Sequence, residues 1–283
     1  MTHWQTARHR IDLSQPRVMG IVNVTPDSFA DGGQHADTAS ALRHCERLLK
    51  DGAHILDIGG ESTRPGSPAV PLAEELARVL PVLREAVRMG VPIAVDTYKP
   101  QVMAAALDLG ADIINDIWAL RQPGASGVVR AHPACGVCLM HMHRDPQTMQ
   151  TAPMAGDAVP QVLHFLRQAA QALQAQGVDQ SRIVVDPGIG FGKTVAQNFA
   201  LLARQGELLA AGYPLLAGWS RKSSIGAVLQ GDAPAPPPPA ARVTASVVAA
   251  LLAVERGARI VRVHDVRETA QALAVWQAVE LLK

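Results

Sequence analysis

Apolar and polar positions along this chain follow two periods that alternate from one end to the other. Short runs rich in β-branched residues are typical of buried strands, and longer stretches with apolar residues three or four apart are typical of amphipathic helices. The runs that predict strands cover residues 18–24, 54–58, 92–95, 112–115, 137–141, 183–185, 214–217 and 259–263. The stretches that predict helices cover residues 38–50, 72–89, 100–109, 159–176, 195–209, 240–255 and 266–282, with a weaker one near 128–132.

This alternation requires parallel strands, because each helix carries the chain back to the starting edge of the sheet. About eight repeats favour closure as a TIM barrel of the α/β class, although the period alone is also compatible with a doubly wound open sheet. Neither a repeat nor a charge block marks a second domain, so we expect a single domain over residues 1–283. The proline-rich segment 233–241 is interpreted as a stiff loop, because the βα pattern resumes directly after it.

Composition narrows the class of protein. Hydrophobic residues make up 48% of the 283 residues, which supports a large core and excludes wholesale disorder. A net charge of +1 argues against a nucleic-acid binder or a protein of anionic membrane surfaces, since both need a basic excess. The longest apolar stretch, residues 243–254, is too short for a membrane span. The three cysteines form no disulfide framework and no secretory signal is evident, so we expect a soluble protein in the reducing cytoplasm.

Polar side chains recur where the predicted strands end. In a barrel these ends form one mouth, and active sites lie there. The polar residues that follow the eight strands are, in order, Asn23; Glu61, Thr63 and Arg64; Asp96; Asn115 and Asp116; His141 and His143; Asp186; Ser220, Arg221 and Lys222; and Arg262, His264 and Asp265. Any one of them alone could equally cap a helix or form a turn. Their joint recurrence indicates a site for a polar heterocycle held at its edge.

A nearly neutral chain must concentrate any anion site locally. Residues 220–223 (SRKS) follow the seventh strand, and Arg262 and His264 close the eighth, where barrel phosphate sites are commonly built. Asn23 offers a side-chain oxygen suited to Mg²⁺, which usually keeps waters and shares its coordination with substrate phosphates.

One glycine-rich motif is interpreted as a ligand loop and not as a nucleotide-binding one. Residues 188–194 (GIGFGKT) look like a P-loop, but Pro187 occupies the position of the first glycine. We expect the glycines to let this loop approach a ligand closely, with Phe191 available to lie on its ring.

Two further motifs are interpreted as structural. Cys135 and Cys138 have redox spacing but run into a strand, so buried thiols are favoured. His141 and His143 with Asp145 could form a zinc site, but a strand end whose Met140 and His141 line the pocket is favoured, because no Glu-bearing partner spacing accompanies them.

One segment points to a particular family. Residues 20–29 (GIVNVTPDSF) closely resemble the dihydropteroate synthases of folate biosynthesis. Further motifs agree with that family in the same order, namely residues 59–66 (GGESTRPG), 95–97 (VDT), 114–116 (IND), 186–193 (DPGIGFGK), 220–223 (SRKS) and 262–266 (RVHDV). The resemblance covers nearly the whole chain and implies a TIM barrel, in agreement with the strand count.

The resemblance also implies an activity. Such an enzyme condenses (7,8-dihydropterin-6-yl)methyl diphosphate with p-aminobenzoate to 7,8-dihydropteroate and releases pyrophosphate in an SN1-like displacement. The family further implies Mg²⁺ as cofactor with Asn23 as its protein ligand, a homodimer, and sulfonamides that compete with p-aminobenzoate. Neither nucleic acid nor membrane is implied as a partner.

Site residues follow from the matched motifs. For the pterin, the resemblance implies Asp96, Asn115, Met140, Asp186, Phe191, Gly218 and Lys222. For p-aminobenzoate it implies Phe29, Thr63, Arg64, Pro65 and Ser220. For the diphosphate it implies Asn23, Thr63, Arg64, Arg262 and His264. The residues implied in catalysis are Asp96, Asp186, Lys222 and Asp31. Asp96 and Asp186 would favour the positive charge that develops when pyrophosphate departs.

Two loops are expected to complete the second substrate site. Residues 25–33 and 62–66 are rich in glycine and proline and could close over the pterin complex. Ser220, expected at a helix N-terminus, would receive the benzoate carboxylate. Residues 143–145 and 242–244 depart from the family pattern, but neither segment contains a residue assigned to chemistry.

Three other functions share parts of this pattern. A pterin-binding methyltransferase domain would have the same acidic edge but would not need Arg262 or His264. A Schiff-base aldolase would use Lys222 as nucleophile, which requires a desolvated amine of lowered pKa. A non-catalytic pterin-binding protein would bind without turnover.

Overall fold

The computed structural model describes residues 2–25, 33–62 and 66–282. A short antiparallel hairpin, β1 (His3–Gln5) and β2 (Arg10–Asp12), precedes eight parallel strands. These are β3 (Arg17–Asn23), β4 (Ile55–Gly59), β5 (Ile93–Asp96), β6 (Ile113–Asp116), β7 (Gly136–Met140), β8 (Ile183–Asp186), β9 (Leu215–Ala217) and β10 (Ala258–Val263). They pair in chain order, and β10 pairs with β3 to close a barrel. The predicted TIM barrel is confirmed, and the open sheet is excluded.

Although the helix over 223–230 is not among the predicted stretches, each of those stretches overlaps at least one of the helices that surround the barrel. They are α1 (Gly33–Lys50), α2 (Leu72–Ala86), α3 (Pro100–Asp108), α4 (Ala125–Ala131), α5 (Ala158–Ala175), α6 (Val195–Ala203), α7 (Gln205–Leu208), α8 (Ser223–Gln230), α9 (Val243–Glu255) and α10 (Val266–Glu280). Among the described helices, none combines the length and apolar character that a membrane span requires.

Two predicted helices differ from the observed ones. The helix predicted over 195–209 is divided at Arg204, whose backbone leaves the helical region and whose side chain pairs with Asp157 and Glu207. The helix predicted over 240–255 starts instead with a short 3₁₀ turn, Pro239–Arg242, because the prolines before it provide no amide hydrogens for an α-helical turn.

The barrel interior is filled by one apolar layer to which each strand contributes one side chain. The members are Met19, Ile55, Ala94, Ile113, Cys138, Val184, Leu216 and Ile260. The hairpin covers this layer from below with Trp4, Ile11 and Leu13. Trp4 is completely buried and its Nε1 donates to the carbonyl of Arg182 at 2.8 Å. The hairpin therefore closes the amino-terminal end of the barrel and leaves the other end for chemistry.

Strand geometry determines what lies above this apolar layer. Side chains alternate across a strand, so the residue two positions further along each strand points into the same interior. Those residues are Ile21, Asp57, Asp96, Asn115, Met140, Asp186, Gly218 and Arg262. The sequence thus places a largely polar layer at the carboxyl end of the barrel, directly over an apolar floor.

Candidate active site

The polar layer contains a connected ionic cluster. The Arg262 guanidinium donates from Nε to Asp57 Oδ2 at 2.5 Å and from Nη2 to Asp96 Oδ2 at 2.6 Å. The Asn115 amide donates to the same Asp57 oxygen at 3.0 Å. Four strands, β4, β5, β6 and β10, are therefore linked across the mouth by two carboxylates, one amide and one guanidinium. Asp96, Asn115 and Arg262 are brought together, as the strand-end pattern predicts.

Asp57 is the member of this cluster that the sequence analysis missed. It lies inside the predicted strand 54–58 and not after it, so a search of strand ends passes over it. An acidic residue within an otherwise apolar strand was the available signal. Its side chain is completely buried, and Oδ1 has no hydrogen-bond partner within the described residues.

Burial perturbs the carboxylates of the mouth. It raises the pKa of Asp96 to about 7, against the opposing effect of Arg262 and with the support of the nearby Asp57 charge. Burial also raises the pKa of Asp186, although the Gly188 N–H donates to Asp186 Oδ1 at 2.7 Å and favours the charged form. Burial therefore disfavours the charged form of both carboxylates, even though Arg262 already bonds to Asp96 and the Gly188 N–H to Asp186.

The cations of the mouth are perturbed by the same surroundings. Burial lowers the pKa of Lys222 to about 8, while Asp186 opposes that shift. Burial also opposes the charge of Arg262, but Asp57 and Asp96 outweigh it and raise the pKa of the guanidinium. Both groups remain largely protonated at neutral pH. Arg262 lies within the ionic cluster at the end of β10, while Lys222 precedes α8 in the segment that follows β9.

An apolar wall stands beside the charged cluster. Met140 and Phe191 pack with Ile117, Met142 and Met149 in one buried group. The Lys222 ammonium lies 4.4 Å from the centroid of the Phe191 ring, which is a cation–π distance. A flat ring that enters the mouth would meet this wall on one face and hydrogen-bonding groups at its edge.

The loops that follow β9 and β10 meet on the other side of the mouth. His264 Nδ1 lies 2.9 Å from Ser220 Oγ, and the His264 amide donates to the same oxygen at 3.1 Å. Arg221 forms an ion pair with Asp265 at 2.5 Å. The expectation that Ser220 lies at a helix N-terminus is wrong, because α8 begins at Ser223 and Lys222 is the residue that precedes it.

Other predicted residues lie apart from the cluster. The Glu61 carboxylate accepts from the Tyr98 hydroxyl at 2.9 Å and pairs with Lys99, which also pairs with the buried Glu75. Asp116 accepts the amides of the turn that follows β6. These two carboxylates support loops and do not join the ionic cluster.

The remaining predictions concern Asn23, Gly218, a metal site and five residues outside the described ranges. Asn23 ends β3 and is partly buried, and Gly218 follows β9 with open space where a side chain would stand. Within residues 2–25, 33–62 and 66–282, no group of three or more histidine, cysteine or acidic side chains could hold a metal ion. The predicted residues that lie outside the described residues are Phe29, Asp31, Thr63, Arg64 and Pro65.

His141 is buried but stays uncharged. Its ring packs edge-on against Phe165, with the ring centroids 4.9 Å apart, and Nδ1 has no partner in the part of the chain that the structure describes. Burial, reinforced by the charge of Lys193, lowers its pKa to about 2.

Comparisons with known proteins agree with this geometry. A family model described as pterin binding enzyme matches residues 19–264. A dihydropteroate synthase of Neisseria meningitidis serogroup B is 51% identical over 280 residues, which are 97% of this chain and 96% of that protein. A solved Xanthomonas albilineans dihydropteroate synthase with 4-aminobenzoic acid has a TM-score of 0.91 and 49% identity, covering 99% of this chain and 98% of that one. A Burkholderia cenocepacia dihydropteroate synthase complexed with 7,8-dihydropteroate has a TM-score of 0.89 and 50% identity, covering 99% and 97%.

Proposed function

The chain belongs to the pterin-binding enzyme family as a dihydropteroate synthase, and from this premise we propose how its residues divide the reaction. The enzyme condenses (7,8-dihydropterin-6-yl)methyl diphosphate with p-aminobenzoate to 7,8-dihydropteroate and releases pyrophosphate. The observation that carries the proposal is the polar layer over the apolar floor, in which side chains of β4, β5 and β10 bond to one another.

Asp96, Asn115 and Asp186 bind the amino-pyrimidine edge of the pterin. The two carboxylates accept its N–H groups, and the Asn115 amide supplies a neutral partner. Lys222 donates to the acceptor atoms of the ring, while Phe191 covers one face. This division is supported by the buried position of Asn115 and Asp186, whose relative exposures are 5% and 6%.

The displacement is dissociative. The bond between the pterin methylene carbon and the diphosphate oxygen breaks first, and its electron pair leaves with the diphosphate. Positive charge develops on the pterin, where the Asp96 and Asp186 carboxylates stabilise it. The amine nitrogen of p-aminobenzoate then forms the new bond to carbon and loses a proton.

Arg262 and His264 bind the diphosphate. Within the described residues, Asp57 and Asp96 accept from Nε and Nη2 of Arg262, and Nη1 would donate to a phosphate oxygen. Asn23 fits a Mg²⁺ site of the kind that takes one protein oxygen and completes its coordination with water and phosphate. When bound, Mg²⁺ supplies charge that makes the diphosphate a better leaving group.

The p-aminobenzoate site is assigned to the two glycine- and proline-rich loops. We propose that Phe29, Thr63, Arg64 and Pro65 form its walls. Asp31, in the same loop as Phe29, is proposed to act in catalysis. Ser220 adds a hydroxyl whose position is fixed by His264. Thr63 and Arg64 would serve the diphosphate as well.

The proposed reaction is tested by a pyrophosphate-release assay. We expect release when the pterin diphosphate, p-aminobenzoate and Mg²⁺ are all present, and a loss of about a hundredfold or more when EDTA removes the metal. Release that does not depend on p-aminobenzoate would indicate hydrolysis and contradict the condensation. Activity that survives EDTA would contradict the assignment of Mg²⁺.

We also propose that the enzyme is a homodimer of the cytoplasm. Large apolar side chains are exposed on neighbouring helices, among them Val228 on α8, Val248 on α9 and Val275 on α10, with relative exposures of 62%, 51% and 69%. The three free, buried cysteines suit a reducing compartment. Sedimentation should give twice the chain mass of 30.0 kDa, and the monomer mass at micromolar concentration would contradict the dimer.

A further inference from the structure

A buried lysine lies beneath the loop that follows β8. The Lys193 side chain is 3% exposed, and its ammonium donates to the carbonyls of Gly188 at 2.8 Å, Phe191 at 3.1 Å and His141 at 3.4 Å. All three of these acceptors are main-chain oxygens. One ammonium therefore satisfies three buried carbonyls at once, which uses every donor that a lysine has.

These carbonyls come from two loops in close contact. A Cβ on Gly188 would lie 1.9 Å from the His141 oxygen, and a Cβ on Gly192 would lie 2.6 Å from the Cβ of His143. Both glycines have positive φ, at +66° and +69°. The loop after β8 therefore rests directly on the residues after β7, and Lys193 bonds to both.

The same loop carries two contacts of the pterin site. The Gly188 N–H donates to Asp186 Oδ1 at 2.7 Å, and the Phe191 ring faces the Lys222 ammonium at 4.4 Å. The carbonyl of each of these loop residues, Gly188 and Phe191, accepts from Lys193. A shift of the carbonyls would move the backbone that orients Asp186 and the ring that lies beside Lys222.

We propose that Lys193 is a positioning residue for the pterin site, whose ammonium fixes the Asp186 carboxylate and the Phe191 ring through the backbone of their shared loop. This inference rests on the proposed assignment of Asp186 and Phe191 to the pterin.

The chemistry of the side chain favours this role over simple packing. A buried ammonium is costly, and burial lowers the pKa of Lys193 to about 7. An apolar side chain of similar length would fill the same space without that cost but would remove one hydrogen bond from each of three buried carbonyls, and the Gly188 oxygen would keep only the Phe191 N–H at 3.1 Å. The bonds, and not the volume, are what the lysine contributes.

Arg182 offers a matched control at the opposite end of β8. Its side chain is 5% exposed and donates to the carbonyls of Cys135 at 2.7 Å, Val129 at 3.0 Å and His132 at 3.0 Å. It is likewise a buried cation that binds three main-chain oxygens, but it lies at the closed end of the barrel. Its loss should destabilise the fold without moving the mouth.

The test compares Lys193→Met with Arg182→Met by calorimetric titration with 6-hydroxymethylpterin and by thermal unfolding. We expect both variants to unfold at lower temperature. Lys193→Met should bind the pterin about thirtyfold more weakly, and Arg182→Met should stay within about twofold of the unsubstituted enzyme. In turnover, Lys193→Met should raise the KM for the pterin diphosphate and leave the KM for p-aminobenzoate unchanged.

Either of two results would overturn the inference: unchanged affinity in Lys193→Met, or an equal loss in Arg182→Met. If the unsubstituted enzyme itself does not bind the pterin, the assignment of Asp186 and Phe191 fails first and the inference fails with it. If Lys193→Met does not fold, Lys193→Gln retains two donors and should show a smaller loss. Full affinity in Lys193→Gln would then overturn the inference.

Discussion

Asp186→Asn is expected to weaken pterin binding by about a thousandfold while leaving the barrel folded. Asp186 ends β8 with a relative exposure of 6%, and its charge faces the Lys222 ammonium. The asparagine oxygen can still accept the Gly188 N–H, so the loop retains its anchor. What is lost is the charge that attracts the N–H groups of the pterin and stabilises the cation formed during displacement. Calorimetric titration with 6-hydroxymethylpterin measures the affinity, and circular dichroism checks the fold.

Asp116→Asn is the control for this prediction. Asp116 is also a buried strand-end carboxylate, and burial raises its pKa to about 6. Its oxygens accept the amides of Trp118 at 2.8 Å and Leu120 at 2.7 Å, so it supports a turn. We expect lower thermal stability and nearly unchanged pterin affinity. Equal losses in the two aspartate variants would show that the effect is a general response to a missing buried charge.

Asp57→Asn is expected to lower kcat/KM by about two to three orders of magnitude, although Asp57 is not assigned to substrate. The change removes one of the two negative charges that hold Arg262. Arg262 would then be balanced by Asp96 alone, and the pairing would occupy the carboxylate that is proposed to bind the pterin. We expect the KM for the pterin diphosphate to rise and the KM for p-aminobenzoate to change little. Steady-state kinetics at saturating concentrations of the second substrate separates the two constants.

Asp112→Asn provides the comparison for Asp57→Asn. Asp112 is completely buried and pairs with Arg8 at 2.5 Å, but this pair joins the start of β6 to the hairpin at the closed end. Loss of its charge should reduce the free energy of unfolding and leave kcat/KM within about threefold. A similar fall of kcat/KM in both variants would contradict the positioning role of Asp57.

The strands were predictable because each is a short apolar run with sharp ends. The prediction over 183–185 differs from the observed Ile183–Asp186 by one residue, and that residue is the carboxylate proposed to bind the pterin. The hairpin was not predicted, because strands of three residues are too short to show a period. Its packing depends on the barrel floor, which consists of residues far away in the chain.

The site was predictable where its side chains follow strands and not where they pair across the mouth. Asp96, Asn115 and Arg262 each stand at a strand end, which local pattern reveals. The bond from Arg262 to Asp57 spans 205 positions, and no local signal indicates it. Its position at the end of the eighth barrel strand and the family motif both predict that Arg262 binds an anion, while the structure shows that the protein's own carboxylates already bind two of its nitrogens.

The hairpin beneath the barrel imposes an order on folding during synthesis. Residues 3–12 are made before the barrel strands that they cover, yet the bond from Trp4 to Arg182 joins positions 178 apart, and the floor that receives Trp4 includes Ile260. At roughly 5–20 residues per second, the ribosome needs about 10–35 s to make the stretch between Trp4 and Arg182. The hairpin therefore docks only after Arg182 and Ile260 have been made. Until then the Trp4 indole N–H lacks its hydrogen-bond acceptor, and the apolar side chains of the hairpin are accessible to chaperones. Docking of the hairpin therefore completes the barrel.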